Sequence, residues 1–410
     1  MSTSSPFLAL RRPRIILLLC VTIVFLVLLF PPARLSQFSE GLRFPGSSNL
    51  QHKERPKGVI VMLLPPARLH QAMLTLRNVE ERFNRRLKYP YVLFMVEGEL
   101  EQVTEVQRAR IEHITEGRAK FATVLRSQWD LPESLDKSLV EASLQTIGFS
   151  HGYRAMCRFY SGELVLPSTV MVLLRGYVER CATPCYFWKH PALVAYDWLW
   201  RLDTDIEFHC DVNYDPIERL VENNALYGFV QVSDDADWVQ PTLASNVSAF
   251  MASIHNPSQS DLLDHHDKTP PAFPEDANLA FVWRGEEGVA KALRGEAGNS
   301  DWTHRCMYNN FEISHRSVWE SEIYARFFEY LDRTGGFFYE RWGDAPIHSF
   351  GIAMTLRKDQ AFQLKDTGYQ HQGWEYHCPA QSPSCTCVQE KNFENFKDRV
   401  EGWFDPEGPV

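Results

Sequence analysis

The sequence lacks a long basic stripe, internal repeats and a cysteine pair with the spacing of a zinc knuckle. Its 410 residues carry a formal net charge of −10, which argues against nucleic acid as the main partner, since no basic face offsets repulsion from phosphate. Cys385 and Cys387 are separated by a single residue, which is too few for a zinc knuckle.

A strongly apolar segment near the amino terminus predicts a membrane anchor. Three arginines between positions 11 and 14 precede an uninterrupted apolar run from Ile15 to Phe30, which Pro31-Pro32 ends. The run is slightly shorter than the roughly 20 residues that cross an average bilayer, but it reaches across a thin one. A cleaved signal peptide is the alternative, although no clear cleavage site of small residues follows.

The arginines also predict the topology of the chain. Because basic residues stay on the cytosolic side, we expect a cytosolic tail over residues 1–14, a single transmembrane signal anchor over 15–33 and a stem over 34–56. The stem segment contains Pro, Ser and Gly without periodicity. Residues 57–410 are then expected to form one lumenal domain.

Cysteine usage agrees with a lumenal domain. One of the 9 cysteines lies in the predicted anchor, and scattered single cysteines in a secretory protein are more often disulfide partners than zinc ligands. Their connectivity stays open. In the same compartment, the sequon that begins at Asn246 would accept an N-linked glycan. The remaining cysteines are Cys157, Cys181, Cys185, Cys210, Cys306, Cys378, Cys385 and Cys387.

The folded body opens with an alternation of strands and helices. Apolar runs predict strands at 58–64, 91–95 and 119–124, and apolar residues at helical spacing occupy the two intervals between them. A strand–helix–strand–helix–strand series predicts parallel strands joined by right-handed crossovers. The fold class is therefore α/β.

An acidic pair follows a later buried strand. Trp198–Leu202 is apolar and aromatic apart from Arg201, and Asp203-Thr204-Asp205 comes directly after it. Nucleotides and metals commonly bind at the carboxyl ends of strands in an open α/β sheet. Two carboxylates at this spacing suit a hard divalent cation that also holds a diphosphate. The alternative is a solvated acidic loop.

Further local signals predict helix starts and one more strand. Asp215-Pro216 has the composition of a helix start, with proline in its preferred first position. Ser317–Glu320 matches a capping box ahead of a helix that runs to about Leu331. Leu226–Val232 is predicted to be one buried strand. The cluster Asp264–Asp267 is either a metal site or, more simply, part of a polar surface loop.

Four sequence blocks resemble those of the fungal α-1,2-mannosyltransferases of glycosyltransferase family 15. The most specific block runs from Gly335 to Ser349 and reads Gly-Gly-Phe-Phe-Tyr-Glu-Arg-Trp-Gly-Asp-Ala-Pro-Ile-His-Ser. Supporting blocks occupy residues 153–162, 310–313 and 366–371, and the resemblance spans roughly residues 57–390. A 15-residue match of such aromatic and charged composition is hard to produce by chance.

The resemblance implies a fold, a reaction and a location. It implies a GT-A-like nucleotide-diphospho-sugar transferase fold, with a mixed, mostly parallel sheet flanked by helices. It implies transfer of mannose from GDP-mannose to a mannosylated N- or O-linked glycoprotein acceptor, with Mn²⁺ and with retention of the α configuration. Relatives are Golgi enzymes, so a single-pass type II Golgi membrane protein is expected.

The metal assignment follows from the family motif together with ligand chemistry. The family has Glu-Pro where this chain has Asp203-Thr204, and that glutamate binds manganese together with a histidine that matches His371. Asp is shorter than Glu by one methylene, so either the metal geometry shifts or Asp205 joins the ligands. Mn²⁺ accepts carboxylate, imidazole and phosphate ligands together.

Two further roles are implied by the resemblance. Tyr153 matches a tyrosine at the floor of the nucleotide and active site, and Glu312 matches the carboxylate proposed as nucleophile. Retention requires either such a carboxylate, as in retaining glycosidases, or a front-face route that the leaving phosphate guides. Glu312 could instead stabilise an oxocarbenium-like state or bind acceptor hydroxyls.

Four residues are assigned to nucleotide or substrate binding. Arg201 precedes the acidic pair, whereas Arg341, Trp342 and Asp344 belong to the 15-residue block. Rings and charged hydrogen bonds recognise hexoses well, so these side chains are candidates for holding the sugar. The alternative for the last three is a structural ion pair and a core ring.

The chain departs from the family pattern at two further places. Met307-Tyr308-Asn309 replaces the usual aromatic-rich approach to Glu312, so donor or acceptor preference can differ. Residues 163–185 form an insertion, because the segments on either side adjoin in relatives. This insertion is either a lineage-specific loop or a retained intron.

Two other functions compete with sugar transfer. The first is a catalytically silent, mannan-binding protein that has kept the fold. The second is a retaining glycosidase, which would need neither Mn²⁺ nor a bound nucleotide. The combination of Asp203, Glu312 and His371 favours the transferase.

Overall fold

The computed structural model describes residues 55–162, 187–256, 271–373, 375–379 and 382–387. The predicted anchor at 15–33, the insertion at 163–185 and the acidic cluster at 264–267 lie outside these ranges. None of the helices within the described ranges has the length and apolar character needed to cross a membrane.

The described residues contain twelve strands in three sheets. Seven of them form one sheet, three form a second and two form a third. In chain order the strands are β1 (Gly58–Leu63), β2 (Tyr91–Val96), β3 (Ala119–Val124), β4 (Trp198–Leu202), β5 (Ile206–Phe208), β6 (Tyr227–Phe229), β7 (Val232–Asp234), β8 (Arg305–Met307), β9 (Phe311–His315), β10 (Ala361–Gln363), β11 (Tyr369–His371) and β12 (Glu375–His377).

The seven-stranded sheet has the order β10-β6-β9-β4-β1-β2-β3. β1 pairs in parallel with β2 and β4, and β2 pairs in parallel with β3. β9 runs antiparallel to both of its neighbours, β4 and β6. The predicted parallel series at the start of the domain is confirmed, and the sheet is mixed and mostly parallel.

Helices follow most of the strands. The first, α1, continues through a π turn at Glu80–Asn84 into Arg85–Leu87. The α-helices are α1 (Leu69–Val79), α2 (Glu105–Ile114), α3 (Arg126–Trp129), α4 (Lys137–Thr146), α5 (His151–Ser161), α6 (Pro216–Glu222), α7 (Leu243–His255), α8 (Leu279–Val282), α9 (Gly285–Arg294), α10 (Arg316–Trp319), α11 (Glu322–Thr334), α12 (Gly336–Tyr339) and α13 (Asp344–Thr355).

Buried apolar residues form two clusters, to which alternate residues of the central strands contribute. On β1, Val59 and Val61 belong to one cluster, whereas Ile60 and Met62 belong to the other. This alternation is what a pleated strand covered on both faces requires. β4, the strand ahead of the acidic pair, also lies in the core: the ring of Trp200 stacks on that of Phe83 at a centroid distance of 4.7 Å.

Local signals predicted one helix start correctly and missed another. The carboxylate of Asp215 accepts hydrogen bonds from the backbone of Ile217 and Glu218, so α6 begins as predicted. The capping box at Ser317–Glu320 is wrong, because the long helix begins at Glu322 and Ser321 caps it. Ser321 lies one turn further along, and its hydroxyl accepts from the backbone N–H of Tyr324.

The single strand predicted at Leu226–Val232 is also wrong in extent. The structure has two short strands there, β6 in the large sheet and β7 in the two-stranded sheet with β8. A continuous apolar run does not reveal a change of sheet, because Tyr227 and Phe229 of β6 and Val232 of β7 belong to the same apolar cluster.

Two disulfides lie beside the three-stranded sheet β12-β11-β5. They join Cys210 to Cys385 and Cys378 to Cys387. Cys157 and Cys306 are buried free thiols rather than disulfide partners. Burial raises the pKa of both thiols, so they behave as small core side chains.

Candidate active site

A cavity of about 570 Å³ opens where several strands of the large sheet end. Its wall includes Leu63, the last residue of β1, Val96, the last residue of β2, and Asp203, the first residue after β4. Parallel strands end at the same edge of a sheet, which explains why residues distant in sequence meet here.

The acidic pair and the predicted histidine come together at this edge. β11 pairs antiparallel with β5, and His371 lies opposite Ile206, the residue after Asp205. His371 Nε2 is 3.2 Å from Asp205 Oδ1. One ligand atom from each of Asp203, Asp205 and His371 lies within 4.8 Å of the others. The structure therefore brings together the three residues assigned to the metal.

These donors fit a manganese ion. Two carboxylates and one neutral imidazole are ligands that Mn²⁺ accepts, and the cavity leaves room for phosphate oxygens beside them. The second ring nitrogen of His371, Nδ1, lies 2.9 Å from the hydroxyl of Tyr308. Such a partner fixes the orientation in which a histidine meets a metal.

Arg201 fixes the position of Asp203. Its guanidinium donates to Asp203 Oδ1 at 3.1 Å and to Asp344 Oδ2, and it lies 3.7 Å from the ring centroid of Tyr160. Burial raises the pKa of Asp203, an effect that Arg201 opposes. Burial would also raise the pKa of Asp344, but Arg201 together with His348 and Cys157 outweighs it and holds that pKa below its usual value.

Asp205 has a second cationic neighbour. Arg68, from the segment after β1, donates to Asp205 Oδ2 at 2.7 Å. Burial would raise the pKa of Asp205, but the hydrogen bond from His371 and the charge of Arg68 together lower it. The carboxylate is therefore ionised and available as a ligand.

Tyr153 and Arg341 both line the cavity, as a substrate-binding role requires. Tyr153 remains a neutral phenol, because its pKa is raised by its electrostatic interaction with Cys157 and by burial. Arg341 donates to Asp235 Oδ1 at 2.7 Å, so its charge is already paired. Its Nε atom is buried and has no hydrogen-bond partner within the described part of the chain.

The sugar-binding assignment of Trp342 is contradicted. Its side chain is 1% exposed, does not line the cavity, and donates from the indole nitrogen to Glu340. A Cβ atom on Gly336 would come within 2.2 Å of this ring. Trp342 is the core ring of the alternative interpretation, and Gly336 is present because the indole occupies the space of a side chain.

Glu312 also lies away from the cavity wall. Its side chain is 2% exposed, and its Oε2 atom accepts from Tyr227 at 2.8 Å and lies 2.7 Å from His348 Nδ1. On β9 it pairs with Arg201 of β4. A nucleophile must reach the anomeric carbon of the donor, and this carboxylate is not presented to the cavity.

Sequence reasoning missed several residues of the wall. The structure adds Arg68, Tyr308, Asn309 and Asn310 to the site. The Asn310 side chain accepts from Tyr369, while its buried amide nitrogen has no hydrogen-bond partner within the described residues. The position of Tyr308, Asn309 and Asn310 just before Glu312 was the available signal, whereas nothing in the sequence singled out Arg68.

The glycosylation sequon lies within α7 rather than on a loop. The amide nitrogen of Asn246 donates to Thr242 O at 2.8 Å, and Ser248 is fully buried. A folded chain does not present this arrangement to a transferase. N-glycosylation at Asn246 stays a prediction that this geometry disfavours.

The fold and the site define an α/β protein of the GT-A-like glycosyltransferase class. The model of glycosyltransferase family 15, described as glycolipid 2-alpha-mannosyltransferase, matches residues 33–172 and 177–406, and the chain belongs to this family. The break between the two matched segments lies within the insertion predicted at 163–185.

Similar proteins come from several fungi. Glycolipid 2-alpha-mannosyltransferase 2 of Candida albicans is 31% identical over an alignment of 352 residues, with 83% of this chain and 64% of that protein covered. Alpha-1,2 mannosyltransferase KTR1 of Saccharomyces cerevisiae is 29% identical over 351 residues, covering 83% of this chain and 75% of that protein. The chain thus spans slightly less than two thirds of the Candida relative.

Solved structures agree with the fold. Core-mannan synthase A (Ktr4) of Aspergillus fumigatus, in a manganese- and GDP-bound form, superposes with a TM-score of 0.65 at 27% identity and covers 85% of this chain and 82% of that one. The mannosyltransferase Ktr4p of Saccharomyces cerevisiae in complex with GDP gives a TM-score of 0.65 at 25% identity, with 83% and 79% covered.

Proposed function

We propose that this protein transfers mannose from GDP-mannose to a mannosylated acceptor, with retention of the α configuration and with Mn²⁺. One observation carries the proposal: Asp203, Asp205 and His371 converge at the edge of the large sheet, on a cavity of about 570 Å³. The relatives are named as mannosyltransferases, and one similar structure contains manganese and GDP.

Asp203, Asp205 and His371 would hold the manganese ion. Bound there, Mn²⁺ would act as a Lewis acid that offsets the charge of the departing diphosphate. The residues around these ligands keep them in place: Arg201 holds the carboxylate of Asp203, and Tyr308 holds the ring of His371.

Two side chains of the wall are suited to a diphosphate or a sugar. The side chain of Arg68 is 46% exposed and its guanidinium reaches Asp205, so it lies beside the metal ligands where phosphate charge would be placed. The amide nitrogen of Asn310 supplies a buried donor that has no protein partner among the described residues.

The position of Glu312 favours a front-face route to retention. In this route the bond from the anomeric carbon to the diphosphate oxygen breaks, and the acceptor oxygen bonds to that carbon from the same face. The acceptor proton passes to the departing diphosphate, so no protein nucleophile is required. Glu312 is buried against Tyr227 and His348 and lies opposite Arg201 in the β4–β9 pair. Its role is then to hold these neighbouring side chains in position.

The proposed cellular setting is the Golgi lumen. A single-pass type II arrangement is supported by the arginines and the apolar run at the amino terminus. The disulfides Cys210–Cys385 and Cys378–Cys387 suit an oxidising compartment. The proposed acceptors are mannosylated glycoproteins.

The test is release of GDP from GDP-mannose with Mn²⁺ and methyl α-mannoside. Release that requires both Mn²⁺ and the acceptor, with an α-linked product, supports the transferase. Binding of GDP-mannose without turnover would indicate the catalytically silent mannan-binding alternative. Hydrolysis of a mannoside without any nucleotide would indicate a glycosidase instead.

A further inference from the structure

A second cavity, of about 600 Å³, adjoins the candidate active site. Asp234, at the end of β7, and Asp235, the next residue, line both cavities. Asp234 pairs with Arg305 of β8, and the backbone N–H of Asp235 donates to His304 O at 3.0 Å. The wall between the cavities is therefore held by the pairing of β7 with β8.

The second cavity has a polar wall with both signs of charge. Asp237 and Arg284 line it, both side chains are exposed, and neither has a hydrogen-bond or salt-bridge partner among the described residues. Carboxylates accept hydrogen bonds and guanidinium groups donate them. Such a wall suits a neutral ligand rich in hydroxyl groups, since the carboxylates would repel an anion and an apolar ligand would leave the charges without partners.

His304 contributes a strained position to this wall. Its backbone has a φ of 62°, in the left-handed region that non-glycine residues seldom adopt. Its ring lies 4.5 Å from that of Trp302, and its Nδ1 atom is buried without a hydrogen-bond partner in the described ranges. Strain of this kind clusters at ligand sites.

A tryptophan that is next in sequence to a cavity-lining residue offers an exposed apolar surface. Trp238 directly follows the cavity-lining Asp237 in a short 3₁₀ helix, Asp237–Val239, and is 62% exposed. The exposed indole is flanked by a buried residue, Val239, which fixes the backbone. A hexose presents one apolar C–H face and a rim of hydroxyls, so an indole next to charged hydrogen-bonding groups matches it.

We propose that this second cavity is a saccharide subsite for the acceptor, which binds the sugar units that precede the mannose to be extended. The proposal rests on the transferase function, since the shared residues Asp234 and Asp235 place the cavity beside the site of transfer. Its volume lies in the range of ligand pockets, roughly 300–1,000 Å³. The lining groups that would bind the sugar are Asp237 and Arg284. The exposed indole of Trp238, which follows Asp237 in sequence, would stack on the sugar.

The test compares acceptors of different length. Transfer rates would be measured with methyl α-mannoside, an α-mannobioside and an α-mannotrioside for the native chain, Trp238→Ala, Asp237→Asn and Arg284→Gln. The native chain should show a lower KM for the longer acceptors. Each substitution should raise the KM for the longer acceptors about tenfold, while the KM for GDP-mannose and for methyl α-mannoside shifts less than about twofold.

Two control variants accompany these substitutions. Trp238→Tyr keeps a ring and should retain most of the preference for long acceptors. Val106→Ala removes a 60% exposed apolar residue on α2 and should behave as the native chain. Equal KM values for all three acceptors in the native chain, or equal effects of the substitutions on short and long acceptors, would overturn the subsite.

A binding measurement separates this proposal from the proposed function. Isothermal titration of mannotriose into the protein without GDP-mannose should show weaker binding to Trp238→Ala than to the native chain. If no acceptor is extended, the transferase proposal fails, and the titration still decides whether the cavity binds a saccharide. Equal mannotriose binding by both proteins would reject the subsite.

Discussion

His371 Nε2 lies 3.2 Å from Oδ1 of Asp205. His371 is the last residue of β11, and Asp205 directly precedes β5, the strand with which β11 pairs. The other ring nitrogen lies 2.9 Å from the hydroxyl of Tyr308. A ring held at one nitrogen presents the other in a fixed direction. His371 is thereby oriented toward the two carboxylates. Removal of its side chain should weaken metal binding more than it lowers the stability of the fold.

Removal of a metal ligand is the first prediction. His371→Ala or Asp203→Ala should weaken Mn²⁺-dependent GDP binding by at least about 100-fold, since a direct ligand matters more than an outer partner. Titration of GDP with and without Mn²⁺ measures this effect. Asp359→Asn, an exposed acid paired with Arg357, is the matched control and should bind as the native chain. Unchanged binding in His371→Ala would remove it from the metal site.

The second prediction concerns Tyr308, which sequence reasoning did not assign. Tyr308→Phe keeps the ring and removes only the hydroxyl that holds His371 Nδ1. Mn²⁺ affinity should fall about 10- to 100-fold, as for other outer partners of metal-binding histidines. Competition of Mn²⁺ with a chelator would measure the affinity. An unaltered affinity would show that the backbone alone orients the imidazole.

The third prediction concerns stability. Arg201→Met leaves the buried carboxylate of Asp344 and the half-buried carboxylate of Asp203 without their cation, which should lower the free energy of unfolding by about 3–5 kcal/mol. Urea denaturation at pH 7 measures the change. Arg357→Met breaks an exposed pair and should cost about 0–1 kcal/mol. Similar values for both variants would contradict the positioning role of Arg201.

The fold was predictable where its signals are local. The strands at the start of the domain and the cap at Asp215 follow from periodicity and residue type within a few positions. The acidic pair was predictable because it directly follows a buried strand. The antiparallel insertion of β9 between β4 and β6 depends on pairings between distant segments, which one sequence does not reveal.

The same limit applies to the site. His371 was found because a family motif surrounds it, and the strand pairing then brings it to Asp205. Trp342 shared that advantage, yet its ring lies in the core, because motif residues are kept for packing as well as for binding. Burial distinguishes the two, and burial depends on what packs against the ring, here Gly336 and Phe337.

The fourth prediction concerns acid stability. Burial lowers the pKa of several histidines, namely His151, His190, His209, His304, His315 and His377. Below about pH 6.5 the unfolded chain binds more protons than the folded one, so the free energy of unfolding falls as the pH drops from there toward the lowered pKa values. Urea denaturation between pH 5 and 8 (about the histidine range) should show this loss. His190→Gln should reduce the slope, and an unchanged slope would contradict its contribution.

The last prediction separates the two routes to retention. If the reaction proceeds covalently through Glu312, the kcat of Glu312→Gln should be about 10⁶-fold lower than that of the native chain, as when other enzymes lose their nucleophile. The buried position of Glu312 instead predicts a loss of at most about 100-fold, accompanied by lower stability, because Gln disturbs the contacts with Tyr227 and His348. Tyr227→Phe removes one of those contacts and should lower kcat and stability in parallel. A near-complete loss of transfer in Glu312→Gln, with GDP binding and stability intact, would restore Glu312 as the nucleophile.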